Sequence, residues 1–169
     1  AALTGGTFSG SDLDLLGNIA IGYTAMASTG ANAQTGTIAI GHEALTALTS
    51  GDGNTAVGYQ AGLALTKGRY NTIMGDRSLQ TETVGDRSTA IGYNSLYSQI
   101  IGGGDNQISG NTGLGMYSGF NNVTGQNNTY LGYNAGFGAS GESNSYNTGV
   151  GKESLKVIET GSNNTALGQ

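Results

Sequence analysis

His42 is the one imidazole in a chain of 169 residues, and it directly follows a glycine, in a place that tyrosine fills elsewhere as Tyr23, Tyr59, Tyr93 and Tyr133. With no nucleophile or carboxylate spaced to orient it, this histidine is expected to be one rung of a surface ladder and not a general base. The acidic residues are scattered, so no acid and base pair is defined and the chain is expected to be no enzyme. GDRS occurs at 75–78 and again at 85–88. The first copy falls on a strand glycine and the second on a corner, so each predicts a local ion pair and not a shared motif. GDGN at 51–54 and GGGDN at 102–106 lack the recurring Asp ligands of calcium loops, and the GGG at 102–104 lacks a following Lys and helix. No metal, phosphate or cofactor site is therefore expected. Tyr70, Tyr97, Tyr117, Tyr130 and Tyr146 lie near the tyrosine column, which predicts aromatic stacks on the surface, with platforms for sugars as the functional alternative. Asn122, Asn127 and Asn163 stand in sequons.

Composition limits what must position these residues. Gly accounts for 32 residues, charged residues for 10%, and Pro, Cys and Trp are absent. Such a chain ordinarily buries too little apolar surface to offset its ordering entropy. A net charge of -5 with six Lys and Arg leaves no basic footprint for nucleic acid or anionic lipid. No apolar run is long enough to cross a bilayer as a helix, so no membrane insertion is expected.

Repetition rescues the fold. The phrase NTAVGYQAG at 54–62 returns as NIAIGYTAM at 18–26, TIAIGHEAL at 37–45, STAIGYNSL at 88–96 and NTYLGYNAG at 128–136. Its glycine recurs as Gly22, Gly41, Gly58, Gly75, Gly92, Gly115, Gly132, Gly151 and Gly168, at spacings of 19, 17, 17, 17, 23, 17, 19 and 17. A dominant period with occasional insertions predicts one all-β parallel β-solenoid of about nine coils over residues 1–169. Four places before the glycine, Asn18, Asn54, Asn71, Asn111, Asn128, Asn147 and Asn164, with Thr37 and Ser88, predict a corner ladder. One place before it, Ile21, Ile40, Val57, Met74, Ile91, Leu114, Leu131, Val150 and Leu167 are apolar in every coil and are expected to form the inward ladder. The Thr column at Thr55, Thr72, Thr89, Thr112, Thr129, Thr148 and Thr165 is expected on the same inward face, which sets ice binding aside. The residue between, usually Ala or Gly with Ile73 and Tyr130 as exceptions, is expected to leave the opposite face nearly bare. Ala44 with Leu45, Ser78 with Leu79, Ser95 with Leu96 and Ser154 with Leu155 predict a second apolar column.

The two ends match. The chain stops at Gly168 and Gln169 and begins Ala1, Ala2, Leu3, so that end and start joined read NTALGQ-AAL, in frame with TIAIGHEAL. Gly168 to Gly22 of a following copy is then 23 residues, the length of the coil between Gly92 and Gly115. This predicts head-to-tail stacking across a junction of Ala1, Ala2, Leu3, Gly168 and Gln169, and answers the exposed strand edges that an uncapped solenoid leaves.

The phrase N-[ST]-x-[AVI]-[IV]-G resembles the repeats of YadA-like trimeric adhesin heads, and NTAVGYQAG with its 17-residue period is similar to repeats of viral and bacterial tail-fibre proteins. The resemblance covers residues 18–169. It implies left-handed β-rolls, a parallel homotrimer, and an extracellular place on a cell surface or virion. Together these readings lead to the expectation of a structural subunit of an extracellular filament, self-assembled head to tail. The alternative is a tail-fibre or adhesin-head segment that binds a cell-surface glycan through the insertions at 97–110 and 137–146.

Overall fold

The computed structural model describes residues 17–29, 34–141, 143–159 and 161–169. Within them the chain is an all-β parallel solenoid. Its strands are β1 (Ile19–Ile21), β2 (Ile38–Ile40), β3 (Thr55–Val57), β4 (Thr72–Met74), β5 (Gly85–Asp86), β6 (Thr89–Ile91), β7 (Gln107–Ile108), β8 (Thr112–Leu114), β9 (Thr129–Leu131), β10 (Thr148–Val150) and β11 (Thr165–Leu167). Nine of them stack in chain order into one sheet, and β5 pairs with β7 apart from it. Like residues lie on like: Ile21 on Ile40, Ile40 on Val57, Val57 on Met74 and, at the far end, Val150 on Leu167. No described residue is helical. The junction residues Ala1, Ala2 and Leu3 lie outside the described residues.

The glycine that closes each strand is dictated by stacking. Gly75 has φ 128°, and a Cβ there would lie 2.6 Å from the carbonyl oxygen of Gly92 in the next coil. No side chain fits between backbones that close, and L-residues avoid that φ. Two and four residues later the chain is left-handed even without glycine, as at Glu43 (φ 58°) and Leu45 (φ 50°) or Arg77 (φ 52°) and Leu79 (φ 47°). A third left-handed position precedes each corner residue, at Gly53 (φ 64°), Tyr70 (φ 58°) and Arg87 (φ 63°) among others. Each such non-glycine residue costs about 1–2 kcal/mol in isolation. Rung-to-rung bonds hold them, such as Glu43 N–H to Tyr23 O at 2.8 Å and Leu45 N–H to Ala61 O at 3.0 Å.

The inside and outside of the strands are the reverse of the sequence expectation. Ala39, Ala56, Ile73, Ala90 and Tyr130 are completely buried, whereas Ile21 is 58%, Leu114 48% and Leu167 78% exposed. The expected inward ladder of Ile21, Ile40, Val57, Met74, Ile91, Leu114, Leu131, Val150 and Leu167 thus faces outward, together with the Thr column from Thr55 to Thr165. None of these residues is buried. The small residues lie inside because the roll is thin. Ala44, Leu45, Leu79 and Leu96, the second apolar column, come from the opposite wall and fill the space against them. The exceptions show the same volume rule. Opposite Ile73 stands Gly62, where a Cβ would lie 2.9 Å from Ile73 Cδ1, and beside Tyr130 stand Gly119 and Gly136. Close packing leaves no room for large residues on both walls.

Candidate functional site

The corner asparagines form a buried chain of hydrogen bonds running along the solenoid. Asn71 N–H and Nδ2 both donate to Asn54 Oδ1 at 3.0 Å, and Asn71 Oδ1 accepts the N–H of Ser88 at 2.8 Å. Beyond the insertion, Asn128 N–H donates to Asn111 Oδ1, Asn147 N–H to Asn128 Oδ1 and Asn164 N–H to Asn147 Oδ1, at 2.8, 2.9 and 2.9 Å. Asn18 opens the series by accepting the N–H of Thr37 at 2.7 Å. Each of these amides except that of Asn164 also reaches a main-chain carbonyl, as Asn54 Nδ2 does to Gly68 O at 2.7 Å. A side chain with both a donor and an acceptor continues the series, which explains asparagine at seven of the nine corners, with Thr37 and Ser88 at the other two.

The outer face of the main sheet runs the length of the nine-stranded stack. It carries two straight columns, Ile19, Ile38 and then the threonines in one, and the nine aliphatic residues from Ile21 to Leu167 in the other. No charged residue interrupts either column. Rungs about 4.8 Å apart make this strip roughly 40 Å long, with aliphatic side chains along one column and threonine hydroxyls along most of the other.

The side chains first considered for chemistry are ladder members. His42 is stacked between Tyr23 and Tyr59, with ring centroids 5.2 and 5.3 Å away, and its Nδ1 lies 3.6 Å from the Glu43 carboxylate. In the first GDRS, Asp76 and Arg77 are 3.9 Å apart and Arg77 sits 5.5 Å over the Tyr59 ring. In the second, Asp86 pairs across coils with Arg69 at 3.0 Å, not with Arg87. That hydrogen bond to Asp86 raises the affinity of the Arg69 guanidinium for its proton. Tyr97, Phe120 and Phe137 stack at 5.1 and 5.2 Å with Tyr117 edge-on against Phe120. Phe120 is thus stacked on both faces. Tyr130 is interior, where burial pushes its phenol up to about 12. Among the described residues no group of three or more His, Cys, Asp or Glu could hold a metal. No described helix is long and apolar enough to cross a membrane. Asn122 is buried, while Asn127 and Asn163 are exposed at left-handed corners.

At the C-terminal end, Gly168 and Gln169 are exposed beside β11. Val157 and Leu167 are 76% and 78% exposed there. Asn164 presents to any further coil the Oδ1 that in the preceding rungs accepts the next N–H. The insertion at 97–110 projects Gly102 to Asn106, whereas Gln99 and Ile101 within it belong to the interior. No protein-family model, curated protein or solved structure matches the chain.

Proposed function

We propose that this chain is a non-enzymatic structural subunit of an extracellular filament, its solenoids stacked head to tail and associated laterally as a parallel homotrimer. The observation that carries the reading is the uncharged Thr and aliphatic strip on the outer face of the sheet. Water contact with its aliphatic column is unfavourable, and a like face meets the strip without charge repulsion. Another copy also has the same rung spacing over its whole length, a match that an unrelated partner surface would have to reproduce by chance.

Sedimentation of the purified chain tests the lateral contact. Ile91→Asp with Leu114→Lys, both on outward positions, should convert trimers to folded monomers with an unchanged circular dichroism spectrum. A parent that sediments as a monomer at tens of micromolar refutes the lateral contact, and ice-growth inhibition by such a monomer would reassign the Thr column to ordered water. Electron micrographs with no rods longer than one chain would refute stacking.

The alternative, a tail-fibre or adhesin-head segment that binds a cell-surface glycan, draws support from the exposed Gly102 to Asn106 turn. Substituting residues 102–106 tests it, since deleting 98–103 would remove the buried Gln99 and Ile101. Loss of attachment to glycan-bearing cells with filaments intact favours this reading.

A further inference from the structure

Glu82 is a carboxylate with no exposure to solvent, in the interior column that Leu48 and Leu65 fill in the two preceding coils. Its place follows from an interrupted rung. Thr49 and Ser50 both donate their N–H to Thr66 O, at 2.8 and 3.2 Å, and Thr66 and Lys67 repeat this with Thr83 O at the same distances. One coil further, the carbonyl in that column belongs to Ile100, where the chain leaves the period for its longest insertion. The N–H groups of Thr83 and Val84 turn instead to Glu82 Oε1 at 2.8 and 3.1 Å, joined by Gly85 N–H at 2.9 Å. From the insertion side, Ile101 N–H reaches both carboxylate oxygens at 3.3 and 3.2 Å, and Gln99 Nε2 reaches Oε2 at 3.0 Å. A Cβ on Gly85 would lie 2.7 Å from Glu82 Cδ, so this corner has room for the carboxylate and nothing more.

We propose that Glu82 is an acid-sensitive latch that fastens the 101–108 strap to the solenoid. Each hydrogen-bond partner of the carboxylate is an N–H donor, and three successive backbone donors converge on one oxygen as in an anion-binding nest. A proton on Glu82 would point its O–H at donors and withdraw an acceptor from Ile101, the first residue of the strap. Gln99 cannot turn its amide to help without breaking the bond from Asn111 Nδ2 to its Oε1 at 2.8 Å. The other charged groups at this corner act outside the latch. Asp86 on β5 faces Arg69, and Lys67 faces Asp105 on the strap at 3.1 Å. Arg69 also reaches Asn106, and β5 pairs with β7. These contacts span the outer side of the strap, so the latch holds its root and the ion pairs its tip. The ionised form makes the bonds, hence the strap is closed at neutral pH and loosens in acid.

A nitroxide at Gly102→Cys, next to Ile101 at the root of the strap, reads this directly. The chain has no cysteine, and a Cβ at Gly102 meets nothing within 4 Å. Lowering the pH from neutrality, with circular dichroism recorded alongside to mark any global unfolding, should raise the mobile fraction of the label severalfold. In Glu82→Gln the label should already be mobile at neutral pH and insensitive to acid. In Asp105→Asn, which removes only the outer pair, the acid response should persist. A label that stays immobile in the parent at low pH, or a Glu82→Gln protein with the parent's response, overturns the latch. Should Glu82→Gln not fold, Glu82→Leu, the residue type of the two preceding coils, provides the same comparison. The parent's own acid response, measured against a second label on the outward Thr129, decides the matter in any case. Mobility gained at both positions together would mean global acid unfolding and would refute a local latch.

Discussion

Asn128→Ala isolates what one rung of the asparagine ladder contributes. Asn128 Nδ2 donates to Asn111 Oδ1 at 3.0 Å and to Asn144 O at 2.6 Å, while its Oδ1 accepts Asn147 N–H at 2.9 Å. Alanine removes these bonds and leaves the buried Asn147 N–H and Asn144 carbonyl without their partner. Each such group costs about 1–3 kcal/mol, so a loss of about 3–5 kcal/mol is expected, a third or more of typical domain stability. Asn164→Ala is the internal control. Asn164 is exposed and gives up only the bond from its Nδ2 to Asn147 Oδ1, for an expected cost of about 1 kcal/mol. Urea titration with circular dichroism compares the two, and hydrogen exchange at the Asn147 amide reports the rung itself. Asn128→Asp adds a test of sign. An ionised carboxylate would face two acceptors, so this variant should be less stable than Asn128→Ala at neutral pH and recover as acid restores a donor. Equal stability of Asn128→Ala and Asn164→Ala would refute the claim that the buried ladder holds the coils in register.

Gly75→Ala should destabilise by about 3 kcal/mol or more in thermal denaturation, through its φ and its clash with the Gly92 carbonyl, whereas Gly104→Ala should stay within about 0.5 kcal/mol of the parent. Gly62→Leu and Ile73→Ala should each cost about 2–4 kcal/mol, the first by overpacking and the second by a cavity. Combined, they recreate the Ala and Leu pairing of neighbouring coils, and a double-mutant cycle should return a coupling of at least about 2 kcal/mol, with additivity as the contrary result. The buried Tyr130 hydroxyl has no hydrogen-bond partner, so Tyr130→Phe should be neutral or stabilising by up to about 1 kcal/mol. Because the folded phenol titrates only at about 12, against about 10 when unfolded, the stability that Tyr130 contributes is full below pH 10 and lost between those values. Alkaline denaturation of Tyr130→Phe should accordingly lack that part of the transition.

Period, register and the asparagine corners were legible in the sequence because each depends on one residue type recurring at one place. The choice of inward column was not. Alternation states that Ala56 and Val57 face opposite ways, but which of them is inside depends on the width of the roll, and that width is set by Leu45 and Leu79 arriving from the opposite wall. The pairing of Ile73 with Gly62 carried that information, since a large residue opposite a missing one marks two positions that meet. Glycine flagged the left-handed corner at Gly53 but not at Tyr70 or Arg87, where rung-to-rung bonds impose the conformation. Glu82 had no signal of its own. Its role appears only when the carbonyl of Ile100 is found to be out of reach of Thr83.

The reversed columns tie the proposed assembly to the stability of the fold. The roll is lined by alanine on one wall and mainly by leucine on the other, and a further column of nine Ile, Leu, Met and Val residues stands on the outside. In an isolated chain those nine side chains contribute little. Covered by a like face, each would gain about 1 kcal/mol, of order 10 kcal/mol per chain, comparable with the whole stability of an ordinary domain. Under self-association, folding and assembly become one linked equilibrium that shifts with concentration. Such an assembly would make the solenoid depend on its neighbours: the interior would set register through its asparagine and leucine ladders, and the exterior would add cohesion between chains.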